Sequence, residues 1–267
     1  MTTLEQFQAN KRPSSLHLHI LPPDMRNKLA RLRRRVRTSI SDKPILYIPL
    51  ARLQNFDFVV SRESEIVIEG YPRSANSFAE AAFRLAQKRP VRIAHHCHAA
   101  AQVLAAAQWF IPTIVIIREP LDAVRSLLML DPSLFEPRTA LKEYLVFHRA
   151  IESVRHSFVL ARFATVTHQF SEVIDAVNHR FGTNFERLNE SPEVRARVLE
   201  EVDRLALERG AEDENGQPYS LRRPETHRLA REKEKEVMRE KLLEFELRPQ
   251  VDMATAAYQR LAANADV

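Results

Sequence analysis

Glycine is scarce in this chain: only four of its 267 residues are glycine, which disfavours β-rich folds with many tight turns. Cys97 is the single cysteine, so the chain has neither an internal disulfide nor a zinc site made of several thiolates. Apolar runs are short, since none reaches the roughly 18 residues that span a bilayer. Residues 1–11 are too polar for a secretory signal. These absences predict a soluble, cytoplasmic protein without a transmembrane segment.

Hydrophobic residues nevertheless make up 45% of the chain, enough for one sizeable core. We predict a single domain over residues 1–267, with a loosely held leader at 1–22, a variable basic segment at 23–60 and a helical extension at 184–267. The net charge of +5 suits an anionic ligand. No basic stripe interleaved with aromatic residues is present, so no nucleic-acid partner is predicted. The oligomeric state stays open.

Short apolar stretches alternate with segments of helical periodicity through the chain. Strands are predicted at residues 66–68, 91–95, 113–117 and 158–163, with one or two more within 45–60. Helices are predicted at residues 78–86, 99–109, 122–129, 139–156, 171–181, 193–209, 225–246 and 250–263. The alternation predicts a three-layer α/β fold with a central parallel sheet, flanking helices and a helix-rich C-terminal half. Such sheets bind ligands at the carboxyl ends of their strands.

A basic helix is predicted at residues 24–37, which contain seven lysine and arginine residues. Leu29, Leu32 and Val36 fall on one side of this helix. The pattern has two interpretations. It is either an ordinary solvated amphipathic helix or a peripheral contact with an anionic membrane surface or a polyanionic substrate.

The most informative stretch covers residues 65–78, where the first apolar strand leads through a tight turn into a helix. Ser74, Asn76 and Ser77 are residue types that cap a helix N-terminus. A strand that feeds a turn and then a helix directs backbone N–H groups outward, at the positive end of the helix dipole. Arg73 lies in the same turn. The stretch therefore predicts an anion site that favours phosphate or sulfate.

Two segments of the chain resemble the sulfotransferase family. Residues 71–78, Tyr-Pro-Arg-Ser-Ala-Asn-Ser-Phe, are similar to its phosphosulfate-binding loop, Tyr-Pro-Lys-Ser-Gly-Thr-Thr-Trp. Residues 116–126 resemble its segment for the nucleotide 3′-phosphate, in which an apolar strand is followed by Arg-Asp/Asn-Pro and a later serine. The resemblance covers about residues 66–181. It implies a P-loop-NTPase-like sulfotransferase fold and in-line transfer of a sulfuryl group from 3′-phosphoadenosine 5′-phosphosulfate to a hydroxyl or amine, with no metal.

The resemblance also implies roles for individual residues. Arg73 stands where the family has lysine and would stabilise the migrating group and the leaving nucleotide. The nucleotide-binding residues would be Arg73, Ser74, Ala75, Asn76, Ser77 and Phe78 on the 5′ side, with Arg118 and Ser126 at the 3′-phosphate. The guanidinium fork of Arg118 suits a phosphate without reference to any family. The acceptor is not specified, although a carbohydrate or a lipid is compatible with a basic surface.

Three histidines lie at the end of the second predicted strand and just after it: His95, His96 and His98. A histidine in this region of many sulfotransferases is the general base that deprotonates the acceptor, and a histidine pKa near neutrality suits that role. We assign His96 first and His98 second, because alternation along a continued strand would place both on one face and His95 on the other.

Other interpretations of this region stay open. Glu80 and Glu119 are alternative bases, since some sulfotransferases use a carboxylate. A metal site of the three histidines and Cys97 is the weaker interpretation, because adjacent strand positions rarely converge on one ion and no distant fourth ligand is indicated.

The chain departs from the family pattern at several points. Ala75 replaces the usual glycine, so the turn either avoids positive φ or tolerates alanine there. The late Arg-Lys-Gly element is absent. The candidates to replace it are residues 221–224, Leu-Arg-Arg-Pro, and the basic residues Arg228, Arg231, Lys233 and Lys235, which equally suit a solvated helix.

Two rival functions follow: a P-loop nucleotide-dependent kinase, which would need a second loop glycine and a magnesium ligand, and a non-catalytic nucleotide- or polyanion-binding scaffold.

Overall fold

The computed structural model describes residues 23–53, 58–130, 134–208 and 228–267. In these ranges the strands are β1 (Ile66–Gly70), β2 (Ile93–His95), β3 (Thr113–Ile117) and β4 (Val159–Arg162). They form one sheet in the order β2-β1-β3-β4, and every neighbouring pair is parallel. The predicted α/β class with a central parallel sheet is therefore confirmed.

The described helices alternate with these strands and continue beyond them. They are α1 (Pro23–Ile40), α2 (Pro44–Arg52), α3 (Asn76–Ala86), α4 (Ala100–Gln108), α5 (Pro120–Leu128), α6 (Pro137–Glu152), α7 (Phe163–His168), α8 (Phe170–Phe181), α9 (Pro192–Glu208), α10 (Arg228–Leu242) and α11 (Arg248–Ala262). Proline occupies the first turn of several of them, where its missing N–H leaves no helical hydrogen bond unmade.

Alternation along the strands separates the two faces of the sheet. Ile68, Ile114 and Ile116 point to the face covered by α3, α8 and α9. Val115 and Ile117 point to the opposite face, under α5, α6 and α11. Helices on both faces of a buried parallel sheet give the three layers that the sequence predicts.

The strand order also identifies the position of a ligand crevice. The chain leaves β1 toward β2 on one side, and it leaves β3 toward β4 on the other. The loops that follow β1 and β3 therefore diverge, and the carboxyl ends of these two strands border a crevice. The candidate anion loop follows β1, Arg118 follows β3, and the histidine segment follows β2.

The prediction of strands within residues 45–60 was wrong. Residues 44–52 are helical instead, and residues 54–57 lie outside the described part of the chain. Pro44 begins this helix, and its buried residues are the adjacent pair Tyr47 and Ile48. The apolar side chains around this pair are largely exposed. An apolar run that is too short to show its period does not distinguish a strand from a helix.

No helix in the described ranges is both long enough and apolar enough to cross a membrane. The residues that the structure leaves undescribed include the predicted leader and the Leu-Arg-Arg-Pro segment at 221–224. The predictions made for those two segments therefore stay predictions.

His148→Phe is expected to remove an acid-sensitive contribution to stability. His148 is fully buried, its Nδ1–H donates to the Tyr144 carbonyl at 2.8 Å, and its Nε2 has no partner among the described residues. Burial lowers the pKa of His148 to about 4. Between pH 6.5 and 4 the unfolded chain binds a proton that the folded chain does not, so the free energy of unfolding falls as the pH falls.

Phenylalanine suits this position, because the His148 ring stacks on Tyr144 with 3.8 Å between ring centroids. The stability of the variant relative to the parent should rise by about 3 kcal/mol from pH 7 to pH 4, as urea unfolding at each pH would measure. A difference that stays constant over this window would contradict a buried neutral imidazole.

Candidate active site

The loop between β1 and α3 is held in a left-handed conformation at two non-glycine residues. Arg73 has φ 67° and Ala75 has φ 72°. Ala75 is the N-cap of α3, and no side chain caps this helix. The prediction that serine or asparagine side chains cap it was therefore wrong: the Asn76 amide donates instead to the Tyr71 carbonyl at 3.0 Å. The first N–H groups of α3 thus point out of the loop without a side-chain cap.

Gly70 lets the loop pass close to β3. A Cβ atom at this position would lie 2.6 Å from the Ile116 carbonyl oxygen and 2.9 Å from the Asn76 Oδ1 atom. Tyr71 anchors the other side of the turn, since its buried hydroxyl donates to the Ala140 carbonyl at 3.0 Å. The backbone of the loop is therefore fixed at both sides.

The structure brings the two segments that resemble sulfotransferase elements into contact. Arg118 Nη1 donates to the Arg73 carbonyl oxygen at 2.8 Å, and Arg73 Nε donates to Ser126 Oγ at 3.1 Å. The Arg118 guanidinium also lies over the Phe163 ring, 4.3 Å from its centroid. Burial lowers the pKa of Arg118 and Asp122 opposes that shift, yet a guanidinium remains a cation at neutral pH. Two arginines and a serine therefore line one side of the loop.

The hydroxyl and aromatic residues of the loop have distinct environments. Ser74 is fully buried, and its Oγ has no hydrogen-bond partner among the described residues. Ser77 is half-buried, and its Oγ lies 2.9 Å from His96 Nε2. Phe78, in the first turn of α3, packs into the core, and the guanidinium of Arg195 lies 5.6 Å from its ring centroid. A buried hydroxyl without a partner at a helix N-terminus is suited to donate a hydrogen bond to a bound anion.

The histidine segment does not continue the strand beyond its predicted end. β2 ends at His95, and both His96 (φ 55°) and His98 (φ 50°) have left-handed backbone conformations. The prediction that strand alternation places His96 and His98 on one face was therefore wrong. The two rings are nevertheless neighbours, with centroids 5.5 Å apart.

A buried carboxylate holds this left-handed segment in place. Glu69, at the end of β1, accepts hydrogen bonds from the backbone N–H groups of Cys97 at 2.7 Å and His98 at 3.0 Å, and from the side chain of Gln102 at 2.7 Å. Burial raises the pKa of Glu69 to about 8, and the backbone hydrogen bonds oppose that rise. The sequence analysis did not identify Glu69. The available signal was a charged residue inside an otherwise apolar strand.

A second buried carboxylate, Glu80 of α3, orders His95 and His96. Glu80 Oε1 lies 3.2 Å from His95 Nε2, Glu80 Oε2 lies 3.4 Å from His96 Nδ1, and the two Nδ1 atoms are 2.9 Å apart. With the proton of His95 on Nε2, beside the carboxylate, the His95 Nδ1 lone pair accepts a hydrogen bond from His96 Nδ1–H. In neutral His96 the lone pair of Nε2 then faces Ser77. His96 is thus tied to the anion loop and Glu80 lies behind it, fully buried.

His98 has a different orientation. Its Nδ1 lies 2.9 Å from the Gly70 carbonyl oxygen, which can only accept, so Nδ1 carries the proton. The lone pair of the neutral ring is then on Nε2. The carboxyl group of Glu69 lies 4.0 Å from Nδ1, where its ionised form would favour an imidazolium formed when Nε2 takes up a proton. With Nδ1 held by the Gly70 carbonyl, Nε2 of His98 is the ring atom that can act as a general base.

A cleft of about 930 Å³ lies beside the anion loop, between α1, α2 and the Tyr71–Pro72 turn. His98 is part of its wall, whereas His96, Glu80 and Glu119 are not. Among its other lining residues are Val36, Arg37, Leu50, Pro72 and Glu143. Its volume is typical of small-molecule sites. Of the predicted bases, His98 is therefore the one that faces a space large enough for an acceptor.

The remaining predicted candidates lie elsewhere. Glu119 caps α5 by accepting from the Asp122 N–H at 3.1 Å, and burial raises its pKa. Lys235 pairs with Glu232 on its own helix, and the side chains of Arg228 and Arg231 lie outside the described part.

The side chains that could bind a metal ion differ from the predicted set of three histidines and Cys97. Glu80, His95 and His96 offer ligand atoms within 4.8 Å of one another. Arg84, however, already donates to Glu80 at 2.9 Å, and a guanidinium beside the carboxylate disfavours a second cation. Cys97 does not belong to this set: it is buried, and burial raises its thiol pKa.

Comparison with known proteins does not extend these observations. No protein-family model matches the chain, and a search of curated proteins finds no match. Function must therefore be argued from the geometry of the site.

Ala75→Gly is expected to stabilise the protein. An alanine in the left-handed region costs about 1–2 kcal/mol, and glycine removes that cost at a smaller expense in chain entropy. We expect the free energy of unfolding to rise by about 1 kcal/mol. Ala256→Gly, at an exposed position inside α11, is the matched control and should lower it by about 1 kcal/mol. Destabilisation by both substitutions would contradict the left-handed conformation of Ala75.

Proposed function

We propose that the chain is a sulfotransferase that uses 3′-phosphoadenosine 5′-phosphosulfate as donor and a hydroxyl or amine compound as acceptor. One observation carries the proposal: two hydrogen bonds join the loop at residues 71–77 to the segment after β3. Arg118 donates to the Arg73 carbonyl, and Arg73 donates to the Ser126 hydroxyl. These segments are 40 residues or more apart in sequence, and the residues of each one separately predict a phosphate-binding element. The likeness of both segments to sulfotransferase elements supports the same assignment.

The residues around the loop fit an anionic donor. The N–H groups at the start of α3 and the buried hydroxyl of Ser74 can donate to the 5′-phosphosulfate. The guanidinium of Arg73 is placed to balance charge on the bridging oxygen as the sulfur–oxygen bond breaks. In this proposal Arg118 and Ser126 hold the 3′-phosphate. The reaction needs positive charge on the leaving group, which these side chains provide without a metal.

His98 is the base in this proposal, rather than His96 as the sequence analysis ranked them. The acceptor hydroxyl enters the cleft and loses its proton to Nε2 of His98 as its oxygen attacks sulfur in line with the leaving phosphate. The Gly70 carbonyl fixes the tautomer of His98, and the ionised form of Glu69 stabilises the imidazolium. His96 then acts as a positioning residue, because its bond to Ser77 orients a hydroxyl of the anion loop.

Transfer of ³⁵S-labelled sulfate from the labelled donor to a panel of carbohydrate, lipid and phenolic acceptors tests the proposal. We expect transfer to at least one acceptor class in the presence of EDTA. Arg73→Ala should abolish the transfer, whereas Arg89→Ala, at an exposed site remote from the loop, should not. Nucleotide binding without transfer to any of the panel would instead favour a non-catalytic scaffold.

A further inference from the structure

Helix α1 packs on the protein through its charged side. Arg31 and Arg35 pair with Glu136 at 3.2 and 3.1 Å, and Arg34 pairs with Glu143. Thr38, which is buried, donates to the same Glu143 carboxylate at 2.9 Å. The face that a globular helix normally uses for apolar packing is therefore polar here.

The apolar stripe of α1 points away from the protein. Met25, Leu29, Leu32 and Val36 follow one another at intervals of three and four residues, which places them on one face. Leu32 is 56% exposed and Val36 is 52% exposed. At 100° per residue this face lies nearly opposite Arg34. α1 is thus an amphipathic helix whose apolar face is largely exposed.

Helix α2 continues this apolar surface. Tyr47 and Ile48 are buried, whereas Ile45 is 87% exposed and Leu53, just after the helix, is 80% exposed; Leu46 and Leu50 are exposed as well. Leu32, Val36, Leu50 and Leu53 all line the same cleft. Exposed apolar side chains from both helices therefore border one opening, and we call Leu32, Val36, Leu50 and Leu53 the α1–α2 face. A contiguous apolar surface of this kind marks an interaction site.

Positive charge flanks the α1–α2 face. Residues 23–40 contain seven basic side chains and one aspartate. Lys28 and Arg33 are exposed, and no carboxylate of the described residues pairs with either. The Arg37 guanidinium donates to two neutral groups, the Tyr47 hydroxyl and the Cys97 carbonyl. Apolar side chains between uncompensated cations match the boundary between acyl chains and anionic headgroups.

We propose that the α1–α2 face docks on an anionic membrane surface. Leu32, Val36 and Leu53 insert among the acyl chains near the headgroups, and Lys28 and Arg33 contact lipid phosphates and carboxylates. Because the mouth of the cleft is bordered by the same leucines, docking turns it toward the headgroup layer, and His98 then lines a space open to lipid headgroups. The docking itself is independent of the proposed function.

Sedimentation of the full chain with lipid vesicles tests the docking. The protein should bind vesicles of phosphatidylcholine with phosphatidylserine, bind phosphatidylcholine alone far more weakly, and lose binding as salt is added. Leu32→Glu and Arg33→Glu should each weaken binding at least about tenfold. Val237→Glu and Lys88→Glu, at exposed positions of α10 and of the α3–β2 loop, are the matched controls and should leave binding unchanged.

Thermal melting and nucleotide affinity of each variant show separately whether the fold and the donor site are intact. Absence of vesicle binding by the parent chain would overturn the docking, even if nucleotide binding holds. Equal binding by Leu32→Glu and the parent would place the contact elsewhere and also overturn it. A dimer that Leu32→Glu dissociates, without vesicle binding, would assign the face to a second copy instead.

Discussion

His98→Ala is expected to lower the rate of sulfuryl transfer by roughly 10²–10⁴-fold, the usual contribution of a positioned general base. The nucleotide affinity should stay within about twofold, because His98 faces the acceptor cleft rather than the loop. The effect should appear in kcat. Single-turnover transfer of labelled sulfate, with nucleotide affinity measured by calorimetry, gives both quantities.

His96→Ala is the matched comparison, since it removes an imidazole two residues away. Its Nε2 contacts Ser77 of the anion loop at 2.9 Å, so the variant should weaken nucleotide binding and affect kcat less than His98→Ala. The reverse pattern, with the larger loss of kcat in His96→Ala, would restore the assignment made from sequence alone. It would exclude His98 as the base.

Arg118→Ala is expected to weaken binding of 3′-phosphoadenosine 5′-phosphate about 100-fold, since it removes a guanidinium from a partly buried phosphate contact. Adenosine 5′-monophosphate, which lacks the 3′-phosphate, should lose much less affinity. Arg118→Lys keeps the charge but not the planar fork, so an intermediate loss is expected. Calorimetric titration of each variant with both nucleotides provides the comparison.

The double comparison is needed because Arg118 also supports the loop through its bond to the Arg73 carbonyl. A purely structural role would reduce the affinity for both nucleotides equally. That outcome would contradict the assignment of Arg118 to the 3′-phosphate.

Local pattern was sufficient to predict the strands of the sheet. The runs at 66–68 and 113–117 are β-branched and buried on both faces, so they are distinctive as parallel strands. The prediction failed at residues 45–60, where the apolar side chains of α2 face outward. It also missed α7, because six residues are too few to show helical periodicity.

The candidate site shows the same limit. The anion loop and Arg118 were visible because each depends on a continuous segment. Glu69 and Glu80 act through contacts with residues about 15 to 30 positions away, and a pattern read along the chain does not report such pairs. The choice between His96 and His98 depended on backbone conformations that no strand pattern predicts. The stripe on α1 was also visible, but its outward direction required the ion pairs with α6.

The proposed function requires that this chain bind a nucleotide with 3′- and 5′-phosphates through arginines and helix N–H groups, without a metal. Calorimetric titration with 3′-phosphoadenosine 5′-phosphate in EDTA measures this binding. We predict saturable binding that magnesium does not strengthen and that Arg118→Ala weakens about 100-fold. Binding of ATP that strictly requires magnesium, with no binding of the bisphosphate in EDTA, would contradict the account and favour a P-loop kinase.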